Sequence, residues 1–218
     1  MKDFFTSDNG IFRALSKMTD MMILSFLWTI CSLPIFTIGA STAALYYAYH
    51  MASRQGKGYA WQKFLSAFKL NFKQATKIWI PFLLLYVLCG IEMHLAWSLK
   101  KVLPLADTLL IFAVVIIIVT TIWVIYIFPY IARIEDPIKM VLSNSIKISI
   151  LNLGWTVLLL IILVSSIAIF VLFKPMRVFM PAIYIWLANK IQERVFRKYI
   201  TEEELESEKR NDELGKIS

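Results

Sequence analysis

The stretch that decides the fold is residues 31–39, Cys-Ser-Leu-Pro-Ile-Phe-Thr-Ile-Gly. It lies within residues 21–53, a run that contains no Asp, Glu, Lys or Arg. As one helix this run is about 50 Å long, too long for a single crossing of a hydrocarbon core of about 30 Å. Proline interrupts the helical hydrogen-bond ladder, glycine tolerates positive φ, and Ser41 and Thr42 follow as candidate helix caps. The stretch therefore predicts two short helices that form a hairpin, with a turn between Pro34 and Gly39.

The rest of the chain is equally apolar. Of its 218 residues, 59% are hydrophobic and only 17% are charged, and four more uncharged runs cover residues 78–91, 108–132, 148–173 and 178–189. A soluble domain of this size has too little interior for so much apolar surface, and disordered chains are poor in apolar residues. Runs this long without alternation favour helices over barrel strands. We expect an all-α transmembrane bundle of about six membrane segments, with residues 1–200 as a single domain.

The distribution of cations supports the hairpin, because cytoplasmic loops of membrane proteins carry the excess of Lys and Arg. With six crossings and both termini in the cytoplasm, 19 of the 23 Lys and Arg residues fall inside. If the first run crosses once, the better orientation leaves 16 of the 23 inside. A re-entrant pair that does not reach the far side is a third alternative. The expected arrangement is a multi-pass membrane protein with both termini in the cytoplasm, and the net charge of +8 needs no nucleic-acid partner to explain it.

A basic amphipathic stretch follows the predicted hairpin. Between Trp61 and Trp79 the apolar residues recur at helical spacing, and lysines dominate the remaining surface. We expect an interfacial helix that lies on an anionic inner leaflet, where each lysine contributes about 1 kcal/mol of attraction. The sharper alternative is a docking site for a cytoplasmic partner. The candidate surface consists of Lys63, Lys69, Lys73 and Lys77.

Tryptophans and the C-terminal residues complete the topology. Trp79 and Trp97 are separated by about 27 Å on a helix, which predicts one indole at each membrane interface. Residues 201–218 carry many glutamates, and Thr201 with Glu204 has the spacing of a capping box. We expect these residues to form a charged cytoplasmic tail with a short helix.

Two places are candidates for small-molecule binding. Broken helices in transporters expose backbone amides at membrane depth, so Gly39, Ser41 and Thr42 are candidate ligand residues. Glu92 lies within an apolar segment, where an ionisable side chain is a functional candidate by default. The alternative for Glu92 is that it reaches outward and pairs with Lys100 or Lys101. For the turn, the alternative is helix packing, which the small residues Ala40, Ala44, Ala48 and Ala52 favour.

Catalytic signatures are missing from the sequence. It contains no HExxH, GxSxG, P-loop or GxGxxG motif, and its two histidines do not form a metal-ligand pattern. Cys31 and Cys89 are isolated within apolar segments, which is typical of packing residues. We therefore predict a protein that is not an enzyme and that uses no cofactor or metal.

The residues also resemble a known family. Residues 28–47 (WTICSLPIFTIGASTAALYY) are similar to the signature of the YesL-like membrane proteins of Gram-positive bacteria, and residues 68–76 (FKLNFKQAT) resemble the same family. The similarity extends over roughly residues 1–200. These proteins have no established function, and their genes often lie beside genes for sugar uptake and polysaccharide breakdown. The resemblance implies a location in a bacterial plasma membrane and a role in carbohydrate utilisation without a catalytic mechanism.

Together these observations predict an accessory or assembly factor for a carbohydrate uptake or sensing system. Its expected partners are the lipid bilayer and a sugar-uptake permease or another membrane protein. A small-solute permease that works as an oligomer is the alternative, because six short helices leave little room for a pathway within one chain.

Overall fold

The computed structural model describes residues 10–55, 60–100 and 104–199, and these residues form seven α-helices and no strand. Two single-turn 3₁₀ segments, Ile35–Thr37 and Lys174–Met176, join helices in the chain. The all-α fold predicted from the sequence is confirmed. The helices are α1 (Gly10–Cys31), α2 (Ile38–Gln55), α3 (Ala60–Ser98), α4 (Ala106–Arg133), α5 (Ile138–Leu151), α6 (Leu153–Leu172) and α7 (Met180–Phe196).

The break between α1 and α2 falls within the predicted stretch. Pro34 is extended, with φ of −75° and ψ of 107°, and ends the continuation of α1. The hydroxyl of Thr37 lies 2.5 Å from the carbonyl oxygens of Pro34 and Cys31, so it satisfies acceptors that the broken ladder leaves open. The two helices then run antiparallel, and the indole of Trp28 donates to Thr42 Oγ1 at 3.3 Å. The predicted hairpin is present.

Helix α2 is the central element of the bundle and packs against α1, α3, α4 and α7. Ala40, Ala44 and Ala48 are fully buried, as are Tyr46 and Ala43. The small residues let neighbouring backbones approach closely, so the four-residue alanine spacing serves helix packing.

Helix α3 corrects the prediction of a separate interfacial helix. It is continuous from Ala60 to Ser98, 39 residues or about 58 Å, and joins the basic stretch to the apolar segment that follows. The two stretches share one helical phase, because Ala75, Ile78, Trp79 and Phe82 are all buried on one face. Continuous burial across the junction outweighs the hydrogen bond that Pro81 removes.

Trp79 is also placed differently from the prediction that it marks a membrane interface. It is 8% exposed, and its indole donates to the carbonyl oxygen of Ile35 at 2.8 Å. Its ring packs edge-on against Phe128 of α4. Trp79 therefore belongs to the core beside the helix break, while Trp97 at the end of α3 is 71% exposed.

Helices α3 and α4 form a long antiparallel pair. Phe82 packs against Trp123, and the hydroxyls of Tyr86 and Thr121 lie 3.2 Å apart. Beyond this level, the buried side chains of the pair are all small: Cys89 and Ala96 on α3, and Ala106 and Ala113 on α4. On each helix the two small residues are seven positions apart, which is the spacing of buried positions in a left-handed helix pair. Because these side chains are small, the two backbones approach closely along this line of contact, which we call the narrow seam. Most of the remaining surface of this part is apolar and exposed.

The last three helices close the bundle. Asn152 separates α5 from α6, and its side chain contacts Tyr199 and Lys198 after α7. Helix α7 packs along α6, and the amide of Ala182 donates to Ser25 Oγ of α1 at 2.9 Å. This contact satisfies a free amide at the start of α7 and joins the first and last of the described helices.

Three of the described helices are long and apolar enough to cross a membrane: α3, α4 and α6. Helices α1, α2 and α7 do not meet that standard, so the count of six segments stays a prediction. The expected charged tail, residues 201–218, lies outside the described residues, as does Lys101.

Candidate functional site

The four candidate lysines occupy one exposed face of α3. Lys63, Lys69, Lys73 and Lys77 are all exposed, and at 100° per residue they span an arc of about 120°. The opposite face is buried against the bundle through Phe64, Ala67 and Ala75. Leu70, which is 72% exposed, lies among the lysines. We call this surface, formed by the four lysines and Leu70, the lysine face.

The continuity of α3 determines the direction of the lysine face. Its second half is the apolar part of a candidate span, and its first half, which carries the lysines, continues along the same axis. Lys63 is then about 21 Å farther along that axis than Lys77. Charges beyond a Debye length of about 8–10 Å are largely screened, so lysines at the far end contribute little to lipid binding. The two ends of the lysine face therefore lie at different distances from the apolar half of α3.

The three candidate residues at the start of α2 are used for packing. A side chain added at Gly39 places its Cβ 2.6 Å from the Phe128 ring and 2.8 Å from Trp79 Cβ. Thr42 Oγ1 donates to the carbonyl of Ile38 and accepts from Trp28. Ser41 is fully buried, and its hydroxyl has no hydrogen-bond partner among the described residues. Gly39 leaves no space for an anion between α2 and its neighbours.

Glu92 lies apart from these residues. It is half-buried on α3, thirteen positions or about 20 Å beyond Trp79 along the helix. Lys100, one of its two predicted partners, pairs with Asp107 at 2.7 Å instead. Asp107 stands in the first turn of α4, where a carboxylate is favoured by the helix dipole. Glu92 and the start of α2 therefore do not form one site.

A buried ionic cluster was not anticipated from the sequence. Glu193 Oε1 accepts from the Tyr46 hydroxyl at 2.6 Å and lies 3.2 Å from His50 Nδ1. Both carboxylate oxygens contact Arg133, at 3.1 Å from Nε and 3.2 Å from Nη2. The side chains of Glu193, Arg133 and His50 are 12%, 9% and 7% exposed. The cluster joins α2, α4 and α7.

The sequence contained only a partial signal for this cluster. Tyr46 and His50 are four residues apart, so they lie on one face of α2. Arg133 and Glu193 are distant in sequence, and their charges fit equally well with exposed loops and helix ends. Only the packing of α4 against α7 and α2 brings them together. Among the described residues, no group of three or more His, Cys, Asp or Glu side chains is arranged for metal binding.

A cavity lies beside the helix break, between the start of α2 and helices α3, α4, α6 and α7. It has a volume of about 600 Å³ and is lined by residues of every described α-helix except α5. Its walls are mainly aliphatic and aromatic, and no Asp, Glu, Lys, Arg or His lines it. The polar residues in the wall include Thr42, Tyr86, Thr121, Ser166, Tyr184 and Gln192.

The fold defines a helical protein of membrane type, without a recognisable catalytic site among its described residues. Residues 21–93 match the family described as "Protein of unknown function, DUF624", to which the YesL-like proteins belong. The match covers the second half of α1, the break, α2 and most of α3. No curated protein matches the chain, and no solved structure does.

Proposed function

We propose that the chain is a non-enzymatic accessory or assembly protein for a carbohydrate uptake or sensing system of a bacterial plasma membrane. The lysine face binds an acidic surface on a cytoplasmic part of the partner system. The single observation that carries this proposal is the continuity of α3, which holds the lysine face rigidly and directs it away from the membrane.

Rigidity supports a docking role. The face opposite the lysines is packed into the bundle through α2, and Gln74 on the same helix donates to the carbonyl of Asp136 at 2.7 Å. A helix held in this way presents its charges without the entropic cost of ordering a loop. Basic surfaces speed the encounter with acidic partners and fix their orientation.

Orientation follows from charge. The end of the bundle that holds the α2–α3 connection carries most cations, and the positive-inside rule places that end in the cytoplasm. Carbohydrate uptake as the context is suggested by the resemblance of residues 28–47 and 68–76 to the YesL-like proteins.

Co-purification tests the docking proposal. The tagged chain is expressed from its native locus, and the membrane proteins that elute with it are identified by mass spectrometry. We expect an uptake permease to elute with the wild type and to be lost after reversal of Lys63, Lys69 and Lys73 to Glu. Reversal of Lys139 and Lys147, two exposed lysines on α5, is the matched control and retains the partner. Equal loss in both variants, or no permease with the wild type, contradicts the proposal.

The alternative function is a small-solute permease. A cavity of about 600 Å³ lies beside the three candidate spans, which is where a permease would bind its substrate. Its wall is mainly apolar, however, and an apolar wall binds a hydrophilic sugar poorly. Substrate-dependent flux in proteoliposomes that the Glu92→Gln substitution abolishes supports the permease and contradicts the accessory role.

A further inference from the structure

We propose that the α1–α2 hairpin does not cross the membrane, and that its tip contacts the acyl chains of the inner leaflet. The inner side follows from the orientation of the charges given above, and the proposal does not depend on the docking function. The tip is the set of exposed apolar side chains on both sides of the helix break: Ile30, Leu33, Ile35 and Phe36.

The register of the helices places the hairpin beside the lysine-bearing half of α3. Only four residues separate α2 from α3 in the chain, and the two helices pack along each other. The other end of α2 lies against the middle of α3, because a Cβ added at Gly39 is 2.8 Å from Trp79 Cβ. Helix α2 therefore runs antiparallel to residues 60–79 of α3. Helix α1 returns along the same length, since the indole of Trp28 donates to Thr42.

This register sets the depth of the tip. The uncharged run of α3 begins at residue 78, and Lys77 just before it is exposed. The carbonyl of Ile35 accepts from the indole of Trp79 at 2.8 Å, so the tip is level with the start of the apolar half of α3. A lysine at the edge of the hydrocarbon core reaches the headgroups, whereas one deep in the core is costly. The tip therefore lies at the inner boundary of the core, and the rest of the hairpin extends back beside the lysine face.

A crossing by the hairpin conflicts with the charges beside it. Residues 60–79 of α3, along which the hairpin lies, are about 29 Å long. A hydrocarbon core of about 30 Å that enclosed this length would also enclose the exposed lysines at positions 63, 69 and 73. It would leave the exposed apolar surface of the far halves of α3 and α4 in water. With the far halves in the core and the hairpin on the cytoplasmic side, both costs are avoided.

The tip has the composition and the backbone bonding that contact with acyl chains requires. Leu33 is largely exposed, and residues 21–53 contain no Asp, Glu, Lys or Arg. Irregular backbone at membrane depth is tolerated where the protein itself satisfies the polar groups. The hydroxyl of Thr37 contacts the carbonyl oxygens of Cys31 and Pro34 within the break. Apolar side chains therefore face outward while these carbonyls are bonded within the protein.

Spin labels along α1 test the proposal. Positions 18, 22, 26, 30 and 33 are all exposed, so labels there leave the packing intact. The purified full chain, with Cys31 and Cys89 replaced by Ser and Ala, is reconstituted in lipid vesicles. Depth is measured from the accessibility of each label to oxygen and to a water-soluble nickel chelate. We expect the depth to increase from position 18 to position 33, which lies up to about 10 Å deeper than position 26. A crossing hairpin predicts the greatest depth near position 26 and water at position 33, and that order, or equal depth at all five positions, overturns the proposal.

Labelling with a membrane-impermeant maleimide provides matched controls. Leu70→Cys on the lysine face and Trp97→Cys at the far end of α3 replace side chains that are 72% and 71% exposed, close to the 73% of Leu33. Of the three variants, we expect only Trp97→Cys to react in intact cells, and Leu70→Cys to react after permeabilisation. Leu33→Cys is expected to react about tenfold more slowly than Leu70→Cys, because a thiol among acyl chains stays protonated.

Two labelling results overturn the proposal. Reaction of Leu33→Cys in intact cells shows that the hairpin crosses, and a rate equal to that of Leu70→Cys after permeabilisation shows that the tip lies in water. The loss of a co-purifying permease changes neither rate, so a failure of the docking proposal is distinguishable from a failure of this one.

Discussion

The indole nitrogen of Trp79 lies 2.8 Å from the carbonyl oxygen of Ile35, so the middle of α3 is hydrogen-bonded to the turn that separates α1 from α2. Trp79 is nineteen residues from each end of α3. The α1–α2 hairpin therefore reaches only half the length of that helix. Beyond this level α3 packs mainly on α4.

This hydrogen bond predicts a selective effect of tryptophan substitution. Trp79→Phe removes the indole donor from the Ile35 carbonyl, which keeps only the backbone amide of Ile38, and is expected to lower the free energy of unfolding by about 0.5–1.5 kcal/mol. Trp97→Phe, at an exposed position on the same helix, is expected to have little effect. Thermal unfolding in detergent, followed by circular dichroism, measures both. Equal melting temperatures for the two variants contradict the packing described for Trp79.

Gly39 is predicted to be less replaceable than Gly90 or Gly154. Gly39→Ala pushes the Phe128 ring and Trp79 Cβ away from α2 and is expected to cost about 1–3 kcal/mol. Gly90→Ala is the control, because an added Cβ there meets nothing within 4 Å. In a helix interior that change is expected to stabilise by roughly 0.5–1 kcal/mol. The same melting experiment gives opposite signs for the two variants, and a neutral Gly39→Ala refutes the prediction.

The buried ionic cluster is predicted to depend on both of its charged partners. Arg133→Met alone leaves the Glu193 carboxylate buried without its guanidinium and is expected to cost about 3–5 kcal/mol. Arg133→Met combined with Glu193→Leu is expected to cost less than Arg133→Met alone, because no charge is then left uncompensated.

The exposed pair of Lys100 and Asp107 provides the control for the cluster. Asp107→Asn is expected to cost less than about 1 kcal/mol, since both side chains are largely in solvent. If the effects of Arg133→Met and Glu193→Leu on the free energy of unfolding are additive, Arg133 and Glu193 are not coupled, which contradicts the prediction.

The narrow seam between α3 and α4 predicts that only small side chains are tolerated at its buried positions. Ala113→Leu places a large side chain where Cys89, Ala96 and Ala106 allow close approach, and it is expected to cost about 1–3 kcal/mol. Val115→Leu, on the exposed surface of α4, is expected to be tolerated. Thermal unfolding distinguishes them, and equal tolerance of the two leucines contradicts the seam.

The sequence predicted the fold class and the helix break because both depend on local signals. Long uncharged runs require helices in lipid, and Pro34 interrupts the backbone ladder wherever it lies in a helix. The continuity of α3 was missed because a lysine-rich amphipathic stretch has the same periodicity on a membrane surface and along a bundle. Whether the stretch lies on a membrane surface or packs along the bundle depends on whether α2 covers the apolar face of the stretch.

The candidate functional residues show the same difference between local sequence signals, which could be read, and tertiary packing, which could not. The exposed lysines were found from periodicity alone, whereas Glu193, Arg133 and His50 meet only through tertiary packing. The 600 Å³ cavity depends on six helices at once, so no single segment predicts it.

The continuity of α3 is the central claim, and a distance between two spin labels tests it most directly. Labels at positions 63 and 97 are introduced in lipid nanodiscs, with Cys31 and Cys89 replaced by Ser and Ala. One unbroken helix predicts a separation of about 51 Å, and a helix that bends at Pro81 to lie on the membrane predicts about 36 Å. Labels at positions 63 and 77 are the control, at about 21 Å in either case. A distance near the longer value supports the account, and one near the shorter value contradicts it together with the docking proposal.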